Sequence, residues 1–124
     1  MATIVLNFGS VTLEADLYEG PGPEAFLASL PADIGLSRWG DEFYGGCSAK
    51  VKEDKTSRDL YEVGEIAFWP PGRAFCVFFG PTPASSDDTP TMASPGVPLG
   101  KIKANATALK ALGGSARVKI TKKA

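Results

Sequence analysis

Glu42 and Tyr44 stand two residues apart, which puts both side chains on one face of an extended segment, and Trp39 lies just before them. A carboxylate, a phenol and an indole in so short a stretch can line a pocket. The competing arrangement is a surface ion pair beside a core aromatic. A second group lies in Glu65-Ile66-Ala67-Phe68-Trp69-Pro70-Pro71-Gly72-Arg73-Ala74-Phe75-Cys76-Val77-Phe78-Phe79-Gly80-Pro81-Thr82-Pro83. Here Trp69 precedes a proline and either lines a groove or only stabilises a turn. Phe78 and Phe79 alternate, so one enters the core and the other is free to face a pocket. From these motifs Trp39, Glu42, Tyr44, Trp69, Phe79, Thr82 and Pro83 are predicted to line one shared cleft.

The chain has no histidine, which removes Ser-His and Cys-His nucleophiles, an imidazole base and any His-based zinc site. Two cysteines, Cys47 and Cys76, cannot complete an all-thiolate zinc site and read as reduced thiols. Asp87-Asp88 lack the ligand spacing of a calcium loop. Neither a metal nor a cofactor is predicted, so any catalysis would rest on carboxylates, Arg, Lys, Tyr or backbone groups.

With 13 basic and 14 acidic residues the net charge is −1, too small to recruit nucleic acid or an anionic membrane. Lys119, Lys122 and Lys123 read as a solubilising tail without the interleaved aromatics of a nucleic-acid surface. Met1-Ala2-Thr3-Ile4-Val5-Leu6 carries no basic leader, and no apolar run reaches the ~18–20 residues that span a bilayer. One soluble, cytoplasmic domain over residues 1–124 is therefore expected, with a peptide or small molecule as partner.

The elements that must position these side chains are mostly strands. Residues 3–8 and 11–17 alternate around Gly9-Ser10 as a hairpin, with Leu13, Ala15 and Leu17 on one face and Glu14 and Asp16 on the other. Gly20-Pro21-Gly22-Pro23 leads into a short helix near 23–30 that Pro31 stops. Strands are predicted over 33–39 and 42–51, a charged loop over 52–59, and a hairpin with strands at 64–69 and 73–79. Its turn is read as type II, with Gly72 at the position of positive φ. Strand Phe75-Cys76-Val77-Phe78-Phe79 is apolar throughout and should be covered on both faces. Residues 81–98, rich in Pro, Ser, Thr and Gly, read as irregular, and Gly96-Val97-Pro98-Leu99-Gly100-Lys101-Ile102 as the return to a strand. Asn105 is placed as the cap of a helix over 106–112, and 117–122 as a last strand. Eight strands and two short helices argue for a closed β-barrel.

Four motifs then carry a resemblance: Trp39-Gly40-Asp41-Glu42, Trp69-Pro70-Pro71-Gly72, Phe78-Phe79-Gly80-Pro81-Thr82-Pro83 and Gly100-Lys101. In order and spacing the chain resembles the small prokaryotic cyclophilin-like proteins over nearly its whole length. The resemblance implies a closed eight-stranded cyclophilin-like barrel with two short capping helices, and a peptidyl-prolyl cis-trans isomerase acting on Xaa-Pro bonds. That reaction needs an apolar proline pocket and a donor or cation near the prolyl nitrogen, to lower a barrier of ~20 kcal/mol. The cyclophilin site residues do not carry over. The pocket phenylalanine falls at Cys76, the tryptophan near Ala84, the histidine has no counterpart, and no Phe-His-Arg segment occurs. Arg38 and Arg73, near the motifs, are the catalytic candidates for an atypical, weak isomerase. The alternatives are a proline-peptide-binding module without turnover and a small-molecule-binding barrel whose ligand meets Glu42 and Tyr44.

Overall fold

Alternating side chains form a barrel wall when every strand finds a partner on both sides, and the chain achieves this with eight of its strands. The computed structural model describes residues 2–123. In chain order its elements are β1 (Thr3–Asn7), β2 (Thr12–Leu17), α1 (Pro21–Ala28), β3 (Ala32–Arg38), β4 (Glu42–Gly46), β5 (Arg58–Leu60), β6 (Glu65–Trp69), β7 (Ala74–Phe78), β8 (Thr91–Ile102) and β9 (Ser115–Lys122). The order β2-β1-β9-β3-β4-β7-β6-β8 closes through antiparallel pairing of β2 with β8, and β5 is added outside on β8. Closure leaves no free sheet edge in the barrel itself. Among the described residues no helix is long and apolar enough to cross a membrane.

The barrel interior takes every second residue. Leu13, Ala15 and Leu17 of β2, Phe43 of β4, Ile66 and Phe68 of β6, Phe75 and Val77 of β7, and Val118 and Ile120 of β9 belong to one core. Proline at the start of α1 fits the first turn, where its missing N–H is not needed. The helix places Phe26 over the barrel, stacked on Phe75 with ring centroids 5.5 Å apart. Between Ala106 and Ala111 the chain forms a 3-10 helix, not an α-helix, capped as expected by the Asn105 side chain, which accepts from the Thr107 N–H.

β7 is buried at every position because it is covered twice. Its inward residues meet the core, while Ala74, Cys76 and Phe78 join a smaller outer cluster with Tyr61, Ala67 and Met92. The cover is made by residues that read from sequence as loop. Strand β8 begins at Thr91, inside the segment expected to be irregular, and its first half pairs with β5. Pro98 sits where the β6–β8 register shifts, a break in the ladder that admits a residue without an N–H. Strand β4 ends at Gly46, short of the expected residue 51.

The central turn is also corrected. Residues Pro70–Gly72 form one turn of 3-10 helix, and the left-handed residue is Arg73, at φ 48°. Gly72 answers a different demand: a Cβ there would lie 2.9 Å from the Trp69 ring.

Candidate functional site

Glu42 leaves the β3–β4 turn beside Trp39, because the Trp39 N–H donates to the Glu42 carbonyl at 2.8 Å and the Glu42 N–H returns to the Trp39 carbonyl at 3.2 Å. Gly40, at φ 63°, supplies the left-handed residue the turn requires. From Glu42 the period of two turns Phe43 into the barrel and both Glu42 and Tyr44 onto the outer face. Register completes the row: Tyr44 lies opposite Cys76, Cys76 opposite Ala67, and Trp69 opposite Ala74. Met92 and Ala93 of β8 approach from above. Together Trp39, Glu42, Tyr44, Trp69, Cys76, Met92 and Ala93 line a cavity of about 300 Å³.

The wall is held firmly. The Trp69 indole N–H donates to Ser94 Oγ at 2.9 Å, while the opposite part of its ring rests on Gly72. In the same outer cluster Tyr61 stacks on Phe78 at 4.8 Å and donates its hydroxyl to the Gly96 carbonyl at 2.9 Å. A buried carboxylate anchors this cover from behind. Glu65 receives Arg58 at 3.1 and 2.6 Å, the Tyr18 hydroxyl at 2.7 Å and the Glu62 N–H at 2.8 Å. Burial alone would raise its pKa, but these four donors outweigh burial and hold it below the usual carboxylate value.

Glu42 is the opposite case. It is 4 % exposed, and among the described residues its Oε1 has no hydrogen-bond partner. Burial pushes its pKa up to about 7, against a small opposing effect from the Cys76 thiol. Cys76 is itself pushed well above the usual thiol value, by burial first and by Glu42 second. The cavity therefore combines apolar and aromatic walls with one carboxyl whose charge is balanced near neutral pH.

Of the seven residues expected to share a cleft, Trp39, Glu42, Tyr44 and Trp69 are brought together. The other three stand elsewhere. Phe79 is fully buried in the barrel core against Phe43, at 5.2 Å, because it extends β7 with the inward phase. Thr82 organises the following loop: its hydroxyl donates to the Thr91 carbonyl and accepts the Ala84 N–H at 3.2 Å. Pro83 packs over Gly40, where an added Cβ would meet it at 2.7 Å.

Neither arginine lines the cavity. Arg38 donates to Asp41 at 2.8 Å and to the carbonyls of Gly40 and Leu112, each at 2.8 Å, and it lies 5.0 Å from the Phe79 ring centroid. Its guanidinium is spent joining the β3–β4 turn to the end of the 3-10 helix. Arg73 borders a separate shallow depression with Asp33, Cys47 and Ser48. Sequence reasoning missed Met92 and Ala93, hidden in a stretch dense in turn-forming residues, and the Arg58–Glu65 pair.

No curated protein matches the chain. Among solved structures it is similar to the solution structure of a hypothetical protein from Archaeoglobus fulgidus, at 33 % identity, with a TM-score of 0.81, covering 98 % of this chain and 95 % of that one. The family described as Cyclophilin-like matches residues 2–121, which takes in all eight barrel strands but for Lys122 at the end of β9, and the outer row around Glu42. By that match the chain belongs to the cyclophilin-like family.

Proposed function

We propose that the chain is a binding module that takes a small ligand in the outer-face cleft and does not turn it over. One observation carries this reading: the buried carboxyl of Glu42, whose Oε1 has no hydrogen-bond partner among the described residues, lines a cavity with Trp39, Tyr44 and Trp69. An unsatisfied buried acceptor costs about 1–3 kcal/mol, a cost that a ligand donor removes on binding. The volume of about 300 Å³ lies at the small end of ligand sites, which suits a compact molecule over an extended one.

Prolyl isomerisation calls for a donor or cation at the prolyl nitrogen. Among the described residues no Arg or Lys borders the cleft, and Arg38 is committed to four oxygens at 2.8–3.4 Å. Family membership sets the barrel and leaves the chemistry to the site. The test is a fragment titration followed through the indole N–H resonances of the two tryptophans, both of which line the cleft. Saturable shifts of both indoles, lost in Glu42→Gln or Trp39→Ala, support the reading. A set of compact fragments that leaves both indoles unmoved overturns it.

A further inference from the structure

We infer that the cleft selects a protonated alkylamine, with an ammonium N–H on the Glu42 carboxylate and its alkyl groups against Trp39, Tyr44 and Trp69. This inference rests on the outer-face cleft being the binding site and names the chemistry of its ligand.

The polar inventory of the cleft leads to a donor ligand. The carboxylate is a pure acceptor when ionised. The Trp69 N–H is already given to Ser94 at 2.9 Å. The Cys76 thiol points at its own strand, 3.8 Å from the Ala74 carbonyl. The Trp39 indole N–H and the Tyr44 hydroxyl remain as neutral donors, so an anion entering the cleft would meet no positively charged side chain among its lining residues. The walls argue for the sign of charge as well. Aromatic rings present negative faces, and several of them around one site attract a cation whose hydration shell has been replaced by alkyl groups. Methyl groups on the nitrogen also bury against Met92 and Ala93.

Among the described residues no Arg or Lys lines the cleft to compete for Glu42. From β4 the titratable neighbour is Tyr44, from β7 it is Cys76, and β6 and β8 contribute Trp69, Met92 and Ala93. Asp41, next in the chain, is turned away onto Arg38 at 2.8 Å and Lys110 at 3.6 Å. A ligand ammonium would be the positive partner of Glu42. Because burial holds the Glu42 pKa near 7 in the free protein, the bound cation draws the carboxyl into its ionised form. The ligand keeps its proton, and the proton lost by the neutral fraction of Glu42 passes to solvent.

The test uses the full chain and four probes followed by tryptophan fluorescence: trimethylammonium, tetramethylammonium, the neutral shape mimic tert-butanol, and a short peptide bearing one dimethyllysine. Trimethylammonium is expected to bind saturably and more tightly than tetramethylammonium, which has no N–H to give, while tert-butanol gives no saturable response. Binding of trimethylammonium should weaken roughly thirtyfold between pH 8 and pH 5.5, the ratio of ionised Glu42 for a pKa of about 7. Glu42→Gln should bind trimethylammonium weakly and without that pH dependence, and the pH arm on the parent keeps the test independent of any variant. A peptide at least tenfold tighter than trimethylammonium assigns the amine to a protein side chain, and the reverse order assigns it to a free small molecule. Binding of tert-butanol as tight as that of trimethylammonium overturns charge selection and leaves the binding reading intact. Failure of all four probes overturns the inference, and the indole fragment titration then decides separately whether the cleft binds at all.

Discussion

Replacing Glu42 by glutamine removes the ionisation of one carboxyl and nothing else of comparable size, so the stability of the protein against pH reports directly on that carboxyl. In the unfolded chain it titrates near 4.5, and in the folded protein burial raises the value to about 7. The folded state therefore holds the extra proton between those two values, and stability falls as pH rises through the window. Below pH 4.5 both states are protonated and the penalty is absent. Above pH 7 it is fully developed. At about 1.4 kcal/mol per tenfold difference in proton affinity, the ceiling is about 3 kcal/mol, and Glu42 is too deeply buried, at 4 % exposure, for solvent to screen much of it. For a domain of this size that corresponds to roughly 10 °C in melting temperature. Urea denaturation of parent and Glu42→Gln at intervals from pH 4.5 to pH 8.5 measures it. With no histidine in the chain, the window is free of imidazole titration. The parent should lose up to about 3 kcal/mol relative to the variant across the window. Two parallel curves would refute the raised pKa and with it the view of Glu42 as an uncompensated carboxyl.

Gly72→Val should cost about 1–3 kcal/mol and shift the Trp69 fluorescence, because the new side chain begins 2.9 Å from the indole; an unchanged melting temperature and spectrum would contradict that contact. Arg38→Ala should destabilise the protein by about 2–3 kcal/mol in denaturant titrations while leaving ligand shifts at the cleft in place, since the guanidinium joins Asp41 to the Leu112 carbonyl away from the cavity. Arg58→Ala should cost about 2–4 kcal/mol, because Glu65 at 3 % exposure would keep its charge without its strongest partner, and the loss should lessen as pH falls and Glu65 is protonated. Equal losses at pH 5 and pH 8 would contradict the Arg58–Glu65 account.

The barrel was largely readable because period-two alternation leaves a strong mark where one face is dry. Leu13, Ala15 and Leu17 against Glu14 and Asp16 determine their strand without help, and Asn105 caps its helix with the side-chain oxygen that its residue type predicts. The continuous apolar run of β7 announced a strand covered on both faces, yet nothing local could say what covers it. The cover comes from Tyr61 and Met92, held by pairing between β5 and β8 across some thirty residues of chain and by the Arg58–Glu65 pair. Such pairing is invisible to local periodicity, and the prolines of residues 90–98 actively disguise it. The same limit divided the candidate site. Trp39, Glu42 and Tyr44 meet through one turn and one strand, so spacing sufficed, and Trp69 joins them through register with β7. Phe79 carried no such guide, because the choice between Phe78 and Phe79 depends on the phase of β7, which only tertiary packing reveals. Gly72 and Arg73 exchanged roles for a related reason. The turn after two prolines has two ways to close, and the Trp69 ring decides between them by occupying the space above Gly72.

The central claim, a binding cleft without the cation that prolyl isomerisation requires, is tested most directly by a chymotrypsin-coupled assay on a set of Xaa-Pro peptides. Cis-trans relaxation should proceed at the uncatalysed rate, tens to hundreds of seconds at 25 °C, even with protein in the micromolar range. Accelerated relaxation that disappears in Glu42→Gln or Trp39→Ala would locate turnover in the cleft and contradict the claim.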